Sequence, residues 1–121
     1  FFCTRGKHVL ENLGVKIFIT SGIKHVNLQE MLDVLGRNGI SSLLIEGGGE
    51  VNTAFLENRL IDKLILYFAP KVIGGKVAAT FVEGSGIGKM KDAIEFKDVI
   101  FTQIGNDFKF IGYPVYSAVG E

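Results

Sequence analysis

One stretch decides the fold of this chain: Leu43-Leu44-Ile45-Glu46-Gly47-Gly48-Gly49-Glu50-Val51-Asn52-Thr53-Ala54-Phe55-Leu56. Its first three residues are apolar without alternation, which is typical of a strand covered on both faces. Three glycines follow, and a backbone without Cβ atoms can turn sharply and approach a ligand closely. The apolar residues after them recur at helical spacing. The stretch predicts a strand over 43–45, a glycine turn and a helix over 50–58.

The predicted glycine turn is a candidate anion site. The first N–H groups of a helix have no partner within the helix, and the positive end of the helix dipole lies there. A glycine-rich turn at such a point commonly binds phosphate, and ligands of open α/β sheets gather at the carboxyl ends of strands. The turn matches neither the nucleotide P-loop nor G-x-G-x-x-G. On local grounds a plain tight connection is equally compatible with it.

Glu46 stands at the end of the predicted strand, where an unpaired carboxylate is costly. That position favours a carboxylate that accepts hydrogen bonds from a polar ligand. A partner among nearby backbone N–H groups or lysines is the alternative.

Length and composition place the chain among globular proteins. Its 121 residues suit one domain, with 47% apolar and 21% charged residues. The net charge is zero, so nothing indicates attraction to nucleic acid or to an anionic membrane. No apolar run approaches the roughly 20 residues that span a bilayer. Cys3 is the single cysteine and fits an apolar filler, so we expect a reducing, cytoplasmic location.

The remaining elements follow from local signals. Asn27 with Glu30 three residues later predicts a capped helix over 27–38, ended by Gly39, whose apolar stripe belongs to the core. Residues 1–4, 15–20 and 63–69 are predicted strands, the last central in its sheet. Residues 96–104 and 108–115 predict a hairpin with its turn at 105–107, whose leftover apolar surface suits a subunit interface or plain packing.

Several short runs occur together in a known family: Ile45-Glu46-Gly47-Gly48-Gly49, Phe55-Leu56, Leu60-Ile61-Asp62, Ala69-Pro70, Gly74-Gly75 and Phe81-Val82-Glu83-Gly84. In their order and spacing the chain resembles the C-terminal reductase domain of bifunctional riboflavin-biosynthesis deaminase/reductases. The resemblance runs from about residue 27 onward. It implies a dihydrofolate-reductase-like α/β fold, with a mixed, mostly parallel sheet flanked by helices and a C-terminal antiparallel hairpin. We expect residues 1–121 to be the C-terminal part of one such domain, and the domain to be incomplete.

The resemblance also implies an activity and a site. The activity is NADPH-dependent reduction of 5-amino-6-(5-phosphoribosylamino)uracil to the ribitylamino product, by hydride transfer to the ribosyl C1′. Glu46 would contact this phosphoribosylaminopyrimidine substrate, and no catalytic residue is assigned. The cofactor-binding residues would be Gly47, Gly48, Gly49, Glu50, Val51, Asn52, Thr53 and Ala54. Thr4 and Arg5 are candidates for the 2′-phosphate of the dinucleotide, with a solvated surface arginine as the alternative.

The remaining expectations concern partner domains and alternative functions. The resemblance implies a homodimer and a preceding or fused zinc deaminase domain, whose His-x-Glu and Cys-x-x-Cys signatures this chain lacks. With His8 and His25 far apart in sequence and Cys3 lacking a second thiol, no zinc-ligand set is predicted. Three rivals stay open: dihydrofolate reductase or a related NADPH reductase of the same fold, a non-catalytic oligomerisation module, and a small nucleotide-binding module.

Overall fold

The computed structural model of the chain describes residues 2–3, 8–75 and 77–116. The chain divides into two compact units, residues 1–45 and residues 46–121. Thr4 and Arg5, the candidates for the 2′-phosphate, lie outside the described residues. Within the described residues, no helix has the length and apolar character needed to cross a membrane.

The first unit contains a short parallel strand pair. Strand β1 (Phe2–Cys3) pairs with β2 (Phe18–Ile19), and helix α1 (His8–Glu11) lies between them in sequence. The rings of Phe2 and Phe18, directly opposite each other, stack with centroids 5.3 Å apart. The expected first strand is confirmed where it is described. The second is shorter than its apolar run, because only two residues find a pairing partner.

Helix α2 (Leu28–Arg37) confirms the strongest local prediction. The Asn27 side chain accepts a hydrogen bond from the Glu30 N–H at 3.1 Å, which caps the helix. The Glu30 carboxylate accepts hydrogen bonds from both the N–H and the hydroxyl of Ser21, and these bonds lower the pKa of Glu30. Gly39 takes the left-handed conformation after the helix end, with φ +81°. The apolar stripe of this helix, which was predicted to belong to the core, is only half-buried.

The predicted strand over 43–45 is not formed. The structure assigns no strand to residues 41–48, and Leu44 is 77% exposed. A strand exists only where a neighbouring strand takes up its N–H and C=O groups. Among the described strands none pairs with this segment, so its apolar character alone does not make it a strand.

The second unit joins one helix and one antiparallel sheet. Helix α3 (Gly49–Glu57) precedes strand β3 (Leu64–Phe68), and a 3₁₀ turn over Met90–Asp92 precedes strands β4 (Glu95–Ile104) and β5 (Asp107–Val115). The described sheet has the order β3-β5-β4, so β5 is central. The predicted hairpin is confirmed. The prediction that residues 63–69 are central is wrong, because β3 pairs with β5 on one side only in the described sheet.

Strand register sorts the residues of this sheet onto two faces. Leu66, Phe110 and Phe101 lie side by side on one face, and the rings of Phe101 and Phe110 meet edge to face at 5.2 Å. Ile65 and Ile100 both pair with Ile111 and lie on the other face. The second face also carries Tyr67, Lys109 and Thr102, so it mixes apolar and polar side chains, whereas the first is apolar at these positions.

Tyr116 fastens the chain after β5 to the segment before β3. Its hydroxyl donates a hydrogen bond to the Ile61 carbonyl at 3.1 Å. Burial raises the pKa of Tyr116 above its ordinary value, and the bond to Ile61 opposes this rise.

Candidate functional site

The start of α3 has no side-chain cap. Gly48 is the residue before the helix, with extended backbone at φ −74° and ψ 179°, and it makes no side-chain capping bond. The first bond within the helix runs from the Asn52 N–H to the Gly48 carbonyl at 3.1 Å. The N–H groups of residues 49–51 therefore have no acceptor within the helix. Helix α2, by contrast, is capped by Asn27.

The three glycines before and at this helix start differ in the space around them. A Cβ atom on Gly47 would lie 2.6 Å from the Val51 Cβ, and one on Gly49 would lie 2.5 Å from the Glu83 Cγ. A Cβ atom on Gly48 would meet nothing within 4 Å. Two of the glycines thus permit close packing within the protein, and the third leaves open space beside free N–H groups.

Asn52 and Thr53, two of the predicted cofactor-binding residues, have their side chains bound to a distant segment. The Asn52 amide donates to the Phe81 carbonyl at 2.9 Å and to the Gly47 carbonyl at 3.3 Å. The Thr53 hydroxyl donates to the Glu83 carbonyl at 2.9 Å and accepts from the Glu83 N–H at 2.7 Å. Thr53 is only 8% exposed. These two side chains shape the site by holding protein segments together.

The other predicted site residues lie at or near the surface. Glu46, the expected substrate contact, is exposed, as is Glu50 in the first helical turn. Val51 is also exposed and Ala54 is half-buried. The helix is instead anchored by Phe55 and Leu56, together with Gly49 and Thr53.

Sequence reasoning missed the role of residues 81–84, which we call the Phe81–Gly84 segment. In the sequence it is one of the runs that carry the family resemblance. The structure brings it against α3, thirty residues earlier in sequence. No local pattern in the sequence signals this contact, because it runs through main-chain groups of Phe81 and Glu83.

An open apolar pocket lies on one face of the sheet in the second unit. Its volume is about 360 Å³. The residues that line it come from α3, the Phe81–Gly84 segment, the sheet and the turn before it: Leu56, Leu64, Leu66, Phe68, Phe81, Val82, Ile94, Phe96, Phe101 and Phe110. No polar side chain lines it, so the pocket offers no group that would orient a polar substrate.

Two further sequence features are the Gly74–Gly75 pair and the possible metal ligands. Gly74 and Gly75 have positive φ angles, 69° and 102°, as expected for a turn. Among the residues that the structure describes, no three His, Cys, Asp or Glu side chains gather as metal ligands would.

Comparison with known proteins gives a family match. A profile of the family described as RibD C-terminal domain matches residues 4–110. The riboflavin biosynthesis protein RibD of Bacillus amyloliquefaciens is 38% identical over 110 residues, which are 91% of this chain and 29% of that protein.

Several relatives are named as reductases. The 2,5-diamino-6-ribosylamino-4(3H)-pyrimidinone 5′-phosphate reductase of Methanothermobacter thermautotrophicus is 37% identical over 79 residues, covering 65% of this chain and 37% of that protein. The 5-amino-6-(5-phosphoribosylamino)uracil reductase of Buchnera aphidicola subsp. Acyrthosiphon pisum is 32% identical over 91 residues, covering 75% and 44% respectively.

A solved structure shares the fold. Acinetobacter baumannii RibD, form 1, matches with a TM-score of 0.75 at 25% identity, over 93% of this chain and 30% of that chain. The mixed α/β fold class expected from the sequence is confirmed. The chain spans less than half the length of each of these four proteins.

Proposed function

The chain belongs to the RibD C-terminal domain family, and on this premise we propose that it serves the NADPH-dependent reduction of 5-amino-6-(5-phosphoribosylamino)uracil in riboflavin biosynthesis. The product is the ribitylamino compound. Two relatives support this proposal, because their names describe reductases of phosphorylated ribosylaminopyrimidines. NADPH, when bound, supplies the hydride that the ribosyl C1′ accepts.

The uncapped start of α3 carries the cofactor part of this proposal. Its free N–H groups at residues 49–51 and the positive end of its dipole suit a phosphate. The open space beside Gly48 lets such an anion approach the backbone. Gly47 shapes the turn by giving room to Val51. The donors to the dinucleotide phosphates are therefore main-chain groups, and the side chains of Asn52 and Thr53 hold the site together.

Glu46 is the proposed substrate contact. It directly precedes the glycine turn and its carboxylate is exposed, so it is free to accept hydrogen bonds from the hydroxyl or amino groups of a substrate. The structure assigns it no acid–base role, and its expected contribution is to orient the substrate beside the cofactor site.

A binding experiment tests the cofactor site. The folded chain is titrated with NADPH, NADH and ATP, and cofactor fluorescence is recorded. Gly48→Asp should abolish NADPH binding, because aspartate caps the helix and places a carboxylate where the phosphate would lie. Gly88→Asp is the matched control, since a Cβ atom there also meets nothing within 4 Å. Equal binding of ATP and NADPH would favour the nucleotide-binding module instead.

A kinetic experiment tests the reaction. NADPH oxidation is followed with the uracil substrate, its 2,5-diaminopyrimidinone counterpart and dihydrofolate. The assay uses this chain and the full-length protein that contains it. Turnover of dihydrofolate alone would overturn the assignment, and no turnover with any of them would favour a non-catalytic module. Glu46→Gln should weaken substrate affinity or turnover, with exposed Glu95→Gln as the control.

Assembly and location follow as further parts of the proposal. Ile65 and Ile100 are exposed apolar side chains on one face of the sheet, which supports a homodimer in which a second copy covers them. Sedimentation of wild type and Ile100→Lys tests this, since a dimer through that face should dissociate in the variant. The family resemblance supports a zinc deaminase domain in the same polypeptide, which the full reading frame tests. The single cysteine supports a cytoplasmic location.

A further inference from the structure

The Phe81–Gly84 segment is fixed to the first two turns of α3 at two points. Asn52 binds the Phe81 carbonyl, and the Thr53 hydroxyl makes one donated and one accepted bond with the Glu83 backbone. A hydroxyl that donates to and accepts from the same residue restrains both the position and the direction of that residue. The backbone of Glu83 is thus held against the helix.

This attachment places the Glu83 side chain beside Gly49, the first residue of α3. A Cβ atom on Gly49 would lie 2.6 Å from the Glu83 Oε1 and 2.7 Å from its Cδ. The carboxylate itself therefore occupies the space next to the helix start. Glu50 adds a second carboxylate in the first turn of the same helix.

We propose that Glu83 is an affinity-determining residue of the cofactor site: its carboxylate, held beside the start of α3 by Thr53, repels the cofactor phosphates and sets how tightly they bind. This inference rests on the proposed cofactor site. Without a ligand the carboxylate favours the helix, because a negative charge near a helix start is stabilising. A phosphate bound to the N–H groups of the helix start meets that charge at close range.

The expected effect is moderate and depends on salt. An anion bound to the N–H groups of the first turn lies on the order of 5 Å from the Glu83 carboxylate. At that distance in a solvated setting the repulsion by the cofactor phosphates weakens binding about fivefold. Because the screening length falls from about 10 Å at 0.1 M salt to about 3 Å at 1 M, the effect should fade as salt is raised.

The test compares NADPH titrations of wild type and Glu83→Gln at low and high salt. The neutral amide keeps the shape of the side chain, so NADPH affinity should rise about fivefold at low salt and little at 1 M. Glu95→Gln is the control, because it removes the same charge from an exposed position on strand β4. Thr53→Val frees the segment and should give part of the same low-salt gain, whereas a purely structural role would weaken binding at every salt concentration.

The outcomes separate this inference from the proposed function. If wild type binds NADPH and Glu83→Gln binds it equally well at low salt, the role of Glu83 is refuted while the cofactor site stands. If neither protein binds NADPH and circular dichroism shows both folded, the cofactor site is refuted and the role of Glu83 with it. An equal gain in Glu95→Gln would also overturn the inference, since net charge alone would then explain it.

Discussion

Replacing Thr53 with valine removes one hydroxyl group while leaving the size of the side chain almost unchanged. The hydroxyl makes two hydrogen bonds, at 2.9 Å to the Glu83 carbonyl and at 2.7 Å from the Glu83 N–H. Each hydrogen bond between neutral groups contributes about 0.5–1.5 kcal/mol net. Because Glu83 is exposed, water can partly replace the lost partner. We therefore expect a loss of about 1–2 kcal/mol in the free energy that holds the Phe81–Gly84 segment.

Amide hydrogen exchange at Glu83 measures this loss where it occurs. A segment that opens more easily by about 1–2 kcal/mol exchanges roughly 5–30 times faster. The protection of amides inside α2, which belongs to the other unit, should be unchanged. A melting curve alone is a weaker assay, because the segment can open without unfolding of the rest.

Thr53→Ser is the matched control for the valine variant. Serine keeps the hydroxyl and loses one methyl group, which lies close to Gly84: a Cβ atom there would be 3.1 Å from the Thr53 Cγ2. Burial of a methyl group contributes roughly 0.8 kcal/mol, so Glu83 should stay protected while overall stability falls slightly. The reasoning is refuted if Glu83 exchanges equally fast in wild type and Thr53→Val, or if serine and valine have the same effect.

Three further changes have defined outcomes. Gly48→Ser should cap α3 and stabilise the protein by a few tenths of a kcal/mol in thermal unfolding, yet weaken NADPH binding; unchanged binding would argue against a phosphate at this point. Ser21→Ala should raise the lowered pKa of Glu30 towards its ordinary value near 4.5, as seen by NMR titration. Since the lowered pKa stabilises the fold above pH 4.5, that contribution is lost as the pH falls through the folded value. The variant keeps the backbone N–H bond of residue 21 to Glu30, so it should show less of this acid sensitivity. Tyr116→Phe should cost about 1 kcal/mol in denaturant unfolding through the lost bond to Ile61, and a neutral result would contradict that bond.

Local signals in the sequence were enough for α2 and the hairpin. Asn27 and Gly39 mark the two ends of the helix through their own side chain and backbone, and the turn of the hairpin contains Gly105 at φ +60°. Such features need no information about distant parts of the chain. They are therefore readable from a single sequence.

Non-local pairing explains the predictions that failed. The apolar run over 43–45 suited a buried strand, but burial requires a partner that the sequence does not specify. The position of β3 at the edge of the described sheet depends on which strand β5 joins on its other side. The attachment of Thr53 to Glu83 spans thirty residues, and no local pattern announces it.

The bonds between α3 and the Phe81–Gly84 segment determine how substitutions at Gly48 and Asn52 should affect cofactor binding. If the Asn52 side chain itself held the cofactor phosphates, its loss would weaken binding as directly as a side chain added at Gly48. In the structure the Asn52 amide is bound to the Phe81 and Gly47 carbonyls, while the open space lies at Gly48 and the free donors are main-chain N–H groups. A side chain added at Gly48 should therefore block the cofactor directly. Loss of the Asn52 amide should act indirectly, by loosening the segment that carries Glu83.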